Sequence, residues 1–233
     1  MTLASSGAEH LAPARRAKVK TVTRTRVRRG PHKGHYDRAT IDAVLDRGLF
    51  CHVAFSDDAD VYCIPMLHAR VGDSVYVHGS AASRAMRALG GGAPACLTVT
   101  IVDGLVLARS AFEHSTNYES AMVFGCFTPV ADLAERLRAL EAFTEKLLPG
   151  RWSEVRGPTD KELKATAVLA MPITEVSAKR RSGPPDDDDS PDAELDTWAG
   201  VVPLVTSFGA PIASPGLRPG IRVSESLGRL RDR

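Results

Sequence analysis

The segment Ser74-Val75-Tyr76-Val77-His78-Gly79-Ser80-Ala81-Ala82-Ser83-Arg84 holds the densest set of groups in this chain that could do chemistry. His78 offers an imidazole at the end of an alternating strand. Gly79 lets a ligand approach the backbone, and Ser80 and Ser83 place hydroxyls beside the unpaired N–H groups of a first helical turn. Arg84 adds a guanidinium that can fork onto phosphate oxygens. The chemistry would be phosphate binding, although the same residues also make a plain N-capped helix, because a serine cap needs no ligand. His78 is the best catalytic candidate if the protein uses a side chain as an acid or base. A histidine hydrogen-bonded to backbone is the alternative.

Other reactive residues carry less pattern. Ser110 to Ser120 is a polar stretch between two strands, either a binding loop or a solvated turn. His52 alternates within a strand and reads as a core or interface residue. His32, His35, His68 and His114 lack a helical i, i+4 partner, so no metal site is expected. No G-x-S-x-G elbow marks a nucleophilic serine, and Gly90-Gly91-Gly92 follows a helix, where a dinucleotide fold would need a strand. Asp186 to Asp189 reads as a solvated acidic loop, since a hard cation is wrapped by spaced oxygens.

Positioning these groups requires a strand-rich body. Asp37 or Thr40 can cap a helix through Ile41, Val44 and Leu45 that stops at Gly48. Strands follow at Phe50–Phe55, Val61–His68 and Ser74–His78, with a hairpin turn at Ser56–Ala59 and with Pro65 marking an edge or bulge. A helix over 81–90 closes at the glycine run. Ala95–Val102 and Leu105–Phe112 read as strands joined by an Asp103-Gly104 hairpin, and Ser120–Val130 as another. Leu133, Leu137, Leu140, Phe143 and Leu147 recur at helical spacing. Thr159 and Glu162 form a capping box ahead of a further strand, Thr166–Val176. Six or seven short strands with a few outer helices describe a small, mainly antiparallel barrel with α elements.

The 233 residues, 43% apolar and 25% charged, suit a globular protein that needs no disulfides. Cys51, Cys63, Cys96 and Cys126 have no paired spacing and read as reduced, buried packing residues. No apolar run reaches membrane length and no secretory core is visible, so a cytoplasmic protein without membrane partners is expected. The net charge of +2 hides a basic start: Arg15, Arg16, Lys18, Lys20, Arg24, Arg26, Arg28, Arg29 and Lys33 face the single acid Glu9. Lacking interleaved aromatics, residues 1–30 read as a disordered extension and not as a nucleic-acid arm. Residues 31–205 read as one domain, and 206–233 as an irregular Gly/Pro-rich tail.

Several blocks, read in order, resemble the flavin-nucleotide-binding branch of the pyridoxamine 5′-phosphate oxidase-like superfamily, which includes nitroimidazole-resistance reductases. They are Tyr36-Asp37-Arg38-Ala39-Thr40-Ile41, Val77 to Arg84, Asp103 to Phe112, His114-Ser115 with Asn117-Tyr118 and Ser120, Pro149-Gly150-Arg151-Trp152, Ser177-Ala178-Lys179 with Gly183-Pro184-Pro185, and Trp198 to Leu204. The resemblance implies a split β-barrel homodimer with FMN in a cleft between subunits. It also implies a flavin site built from His78, Gly79, Ser80, Ser83 and Arg84, with Asn117, Tyr118, Ser120 and Lys179 nearby. Glu119 departs from the arginine common in relatives, and Ala85 from a second basic residue; both argue against vitamin B6 oxidation. The expected activity is an FMN-dependent oxidoreduction of a small organic substrate. The alternative is a carrier or sensor holding FMN, haem or a deazaflavin, with His52, His78 or His114 as the axial ligand of a haem.

Overall fold

The computed structural model describes residues 19–230. Asp37, one of the two caps the sequence offers, accepts a hydrogen bond from the Thr40 N–H at 2.8 Å and opens helix α1 (Arg38–Arg47). The helix stops at Gly48 for want of space. Its φ of −72° is ordinary, but a Cβ there would lie 2.2 Å from Val99 Cγ1. Ile41, Val44 and Leu45 turn inward from α1.

They meet a single curled antiparallel sheet. Its strands are β1 (Gly34–His35), β2 (Phe50–Asp57), β3 (Asp60–Val71), β4 (Ser74–Ser80), β5 (Pro94–Leu107), β6 (Ser115–Cys126), β7 (Thr128–Pro129), β8 (Thr166–Pro172), β9 (Glu175–Arg181) and β10 (Gly200–Pro203). The order across the sheet is β1-β9-β6-β5-β2-β3-β4-β8-β7, and β10 pairs with β5. The curl wraps one apolar core of Val53 and Phe55 (β2), Val75 and Val77 (β4), Leu97 and Val99 (β5), Val123 (β6), Met171 (β8) and Val176 (β9). This is the mainly β half-barrel with few helices that the sequence implies. β4 pairs only with the far end of β3, from His68 to Val71, so Pro65 sits on a stretch with one neighbour.

The remaining helices are α2 (Arg84–Gly90), α3 (Leu133–Leu147), α4 (Asp160–Ala165) and α5 (Glu225–Leu230). α3 lies on the outer face of the sheet, where Ala139 and Phe143 pack on Ala69, Tyr76 and Val168. Successive side chains of a strand point to opposite faces. Val75 and Val77 therefore enter the main core, while Tyr76 and His78 face α3.

Several expectations need correction. Asp103-Gly104 is not a hairpin: β5 runs unbroken through it, with a register shift against β6 between Val102 and Gly104. The extra residue is taken up as a bulge because β10 pairs across this stretch from Gly200 to Pro203. Asn117, Tyr118 and Ser120 accordingly lie on β6, not in a loop. Residues 19–30 are fastened to the body. Lys20 N–H donates to Thr174 O at 2.7 Å, Val27 N–H donates to the Tyr36 hydroxyl at 2.8 Å, and Arg24 pairs with Glu175. The rest of the expected extension, 1–18, lies outside the described residues.

The acidic loop is also more than solvated. Asp187 is fully buried and accepts from the Arg109 backbone N–H at 2.7 Å and its guanidinium at 3.0 Å. Of the cysteines only Cys51 is buried; Cys63 and Cys126 are exposed. The tail returns to the body through α5. Ser226 donates its N–H to Glu154 Oε1 at 2.9 Å and its hydroxyl to the same carboxylate, clasping the 3-10 turn Trp152–Glu154. The other side of that turn is tied to α3, since the N–H groups of Gly150 and Trp152 donate to the Glu145 carboxylate at 2.6 and 2.9 Å.

Candidate functional site

A cavity of about 460 Å³ opens between the outer face of the sheet and α3. Its walls are apolar, from Leu67, Leu140, Phe143, Leu147 and Trp152, and His78 is the imidazole among them. Phe143 meets the His78 ring edge-on with centroids 4.3 Å apart. His78 Nδ1 is buried with no hydrogen-bond partner. Burial holds the His78 pKa below the usual value, so the ring is neutral at physiological pH and keeps a lone pair for a ligand. An unpaired buried polar atom costs about 1–3 kcal/mol, a cost that persists until something binds it. Arg156 stands at the rim, paired with Glu162 at 2.6 Å. Glu162 is itself placed by the capping box with Thr159 that opens α4, as the sequence predicts.

At the β4–α2 junction, Ser83 caps α2 by accepting from the Met86 N–H at 3.2 Å, and Ser80 Oγ accepts from the Ala82 N–H at 3.3 Å. Gly79 has a packing reason to be glycine, since a Cβ would press on Met86 Cγ at 3.1 Å. Arg84 is exposed, and its guanidinium lies 4.2 Å from the centroid of the Tyr62 ring.

The other expected flavin residues gather on β6 and β9. Ser120 stands opposite Lys179, with its hydroxyl 3.4 Å from the Lys179 carbonyl. Asn117 is buried, accepting from Arg181 at 2.7 Å and donating to Gly183 O at 3.2 Å. Tyr118, half-buried, pairs in register with Arg181. One chain thus brings Asn117, Tyr118, Ser120 and Lys179 together, and separately His78 to Arg84. Three strands, β5, β2 and β3, lie between the two sets in the sheet order.

A family model described as pyridoxamine 5′-phosphate oxidase matches residues 37–180. The chain belongs to the pyridoxamine 5′-phosphate oxidase family. The flavocytochrome Anf3 from Azotobacter vinelandii is 36% identical, with a TM-score of 0.83 over 92% of this chain and 98% of that one. The FAD and haem binding protein from Mycobacterium smegmatis is 41% identical, with a TM-score of 0.80 over 85% of this chain and 97% of that one. A candidate 5-nitroimidazole antibiotic resistance protein from Bacteroides thetaiotaomicron shares the fold at 20% identity and a TM-score of 0.54, over 63% of this chain and 85% of that one. No curated protein matches the chain.

In this member of the pyridoxamine 5′-phosphate oxidase family, Glu119 has a visible role. It holds Arg47 at 3.2 Å and Arg180 at 2.5 Å, so an anion at this position organises cations from α1 and β9. A second histidine, His68, is fully buried. Its Nε2 lies 2.8 Å from Leu45 O and 3.0 Å from Lys146 Nζ, and Lys146 also donates to Leu45 O at 2.8 Å. The pair closes the carbonyl end of α1, a structural task that spacing alone does not reveal. A basic cavity at the β1–β9 edge, lined by His32, Lys33, His35, Arg180 and Ser182, also goes unmarked in the sequence reading. Its signals are two separate basic runs, at 28–33 and 179–181, which only the β1–β9 pairing joins. Among the described residues no three His, Cys, Asp or Glu side chains cluster as metal donors, and no helix is long and apolar enough to cross a membrane.

Proposed function

We propose that this protein is a flavin- and haem-binding oxidoreductase that passes electrons to a small organic acceptor. The observation that carries the reading is the neutral His78 imidazole, with a buried unpartnered nitrogen, in a mostly apolar cavity with Arg156 and Glu162 among its lining. An iron porphyrin asks for those features: a ring nitrogen for the iron, apolar walls and a cation at the edge for its carboxylates. His78 would hold the iron through a ring nitrogen, Phe143 would fix the orientation of the imidazole, and Arg156 would exchange part of its pairing with Glu162 for a haem carboxylate. Leu67, Leu140 and Leu147 would keep water from the metal. A flavin and a haem together supply conversion between two-electron and one-electron transfer, which is the cofactors' own chemistry.

Two relatives at 36% and 41% identity, a flavocytochrome and an FAD and haem binding protein, support the same reading. The flavin expected from the resemblance is FMN. Its site would be completed by a second copy of the chain, uniting the β4–α2 junction of one subunit with the β6–β9 residues of the other in a homodimer.

The test is the absorbance spectrum of the protein after addition of haemin with FMN or FAD and removal of unbound cofactor. The expected result is a Soret band with flavin absorbance. His78→Ala should abolish or shift the Soret band, while His52→Ala and His114→Ala leave it unchanged. A Soret band indifferent to His78→Ala, or none in the wild type, would overturn the haem assignment. Arg84→Ala should lower flavin retention about 10- to 100-fold, the worth of one charge-assisted contact.

A further inference from the structure

Residues 202–223 lie wholly on the surface, between two anchors. At one end β10 pairs with β5, and at the other Ser226 of α5 is bound by Glu154. Arg229 also runs across Gly150, where a Cβ would lie 2.7 Å from its Nη2. Between the anchors the chain makes two Pro-Gly turns in tandem, Ser214-Pro215-Gly216-Leu217 and Arg218-Pro219-Gly220-Ile221. The Leu217 N–H donates to Ser214 O at 2.9 Å, and the Ile221 N–H reaches Arg218 O at 3.5 Å. Gly220 takes the left-handed φ of 84° that a turn asks of the residue after its proline, and each proline presets its own φ. The segment is thus shaped by local geometry without burying itself.

The turns bring Leu217 and Ile221, four residues apart, to one cavity of about 490 Å³. Leu148 and Arg151, at the end of α3, line it from the body side, and Ile212 and Val223 add to the apolar lining. Ile212 is 96% exposed, Val223 58%, Ile221 48% and Leu217 45%. Aliphatic side chains are therefore held around a space that the chain does not fill, the arrangement of a ligand site. Two guanidiniums, Arg151 and Arg222, line the same space, and no Asp or Glu does. Arg151 is engaged by Glu154 at 3.1 Å, a carboxylate that also serves Ser226. Among the described residues, no hydrogen bond or ion pair engages the side chain of Arg222.

We propose that this cavity binds an apolar monocarboxylate of the medium-chain fatty acid class. Its carboxylate would lie on Arg222 with help from Arg151, and its alkyl chain among Leu148, Leu217, Ile221 and Val223. A polyanion would meet too few donors in these mostly aliphatic walls, and a neutral hydrocarbon would leave Arg222 unpaired. The cavity lies beyond residues 37–180, which the family model matches, and calls on neither flavin nor haem.

Calorimetric titration of the full chain with decanoate, kept below the concentration at which it forms micelles, tests the assignment without a redox readout. Decanoate is expected to bind, and 1-decanol to bind about 10- to 100-fold more weakly, the worth of a charge-assisted contact. Octanoate should bind about 10-fold more weakly than decanoate, because two buried methylenes are lost. Arg222→Gln should weaken decanoate toward the affinity of decanol and leave decanol itself unchanged, a pattern that a folding defect does not produce. No decanoate binding, an affinity indifferent to chain length, or one unchanged in Arg222→Gln overturns the proposal. Self-association lost in Ile212→Asp, with no decanoate bound by the wild type, overturns it too and assigns these side chains to a second copy of the chain.

Discussion

His68 and Lys146 share the Leu45 carbonyl, and both pay in basicity for their burial. The His68 pKa falls to about 4, first because burial disfavours the charged ring and then because Lys146 stands beside it. In the unfolded chain His68 takes its proton at the ordinary value of 6.5. The contribution of His68 is therefore complete above pH 6.5, declines as pH falls toward 4, and levels off below, by up to about 3 kcal/mol. Burial likewise lowers Lys146 to about 8 from 10.5, so its contribution moves the same way, with stability rising as pH climbs between those values. His68→Gln should flatten the dependence of Tm on pH between 6.5 and 4 relative to wild type. Parallel curves would mean that His68 does not govern the acid limb.

At the scale of elements, the junction of α1 with β2 is set by one missing atom. Gly48→Ala would drive its methyl into Val99, fully buried on β5, and overpacking of that kind costs about 1–3 kcal/mol. Urea unfolding should show this loss, while Gly216→Ala, with nothing within 4 Å of its Cβ, should stay within about 0.5 kcal/mol of wild type. The features legible in the sequence are those decided by neighbours along the chain. The Asp37 cap and the Thr159–Glu162 box each rest on atoms a few residues apart. Asp103-Gly104 is different, because the same dipeptide suits a hairpin or a bulge, and the choice falls to β10, almost a hundred residues on. His78 is marked by residue type and strand position, yet the wall it faces comes from α3, more than fifty residues away. The basic cavity is illegible for the same reason: neither of its two short charged runs has meaning until β1 and β9 pair.

Over the whole molecule, the outermost part of the chain reaches back to the centre of the proposed chemistry. α5 clasps the turn that carries Trp152, and Trp152 is a wall of the His78 cavity. The Glu154 carboxylate that receives α5 is held down at about 2, chiefly by the Ser226 hydroxyl and backbone N–H. Its contribution is complete above the ordinary value of 4.5 and is lost only as pH falls from there toward 2. The carboxyl-terminal tail thus works as a latch on the wall of the cavity proposed for the porphyrin. A chain ending at Leu204 should still take up haem, because His78 and the leucine walls remain, but should surrender it faster to an excess of a haem-scavenging protein. Glu154→Gln in the full chain should speed the loss in the same direction, making residence time a property of a segment that touches no cofactor.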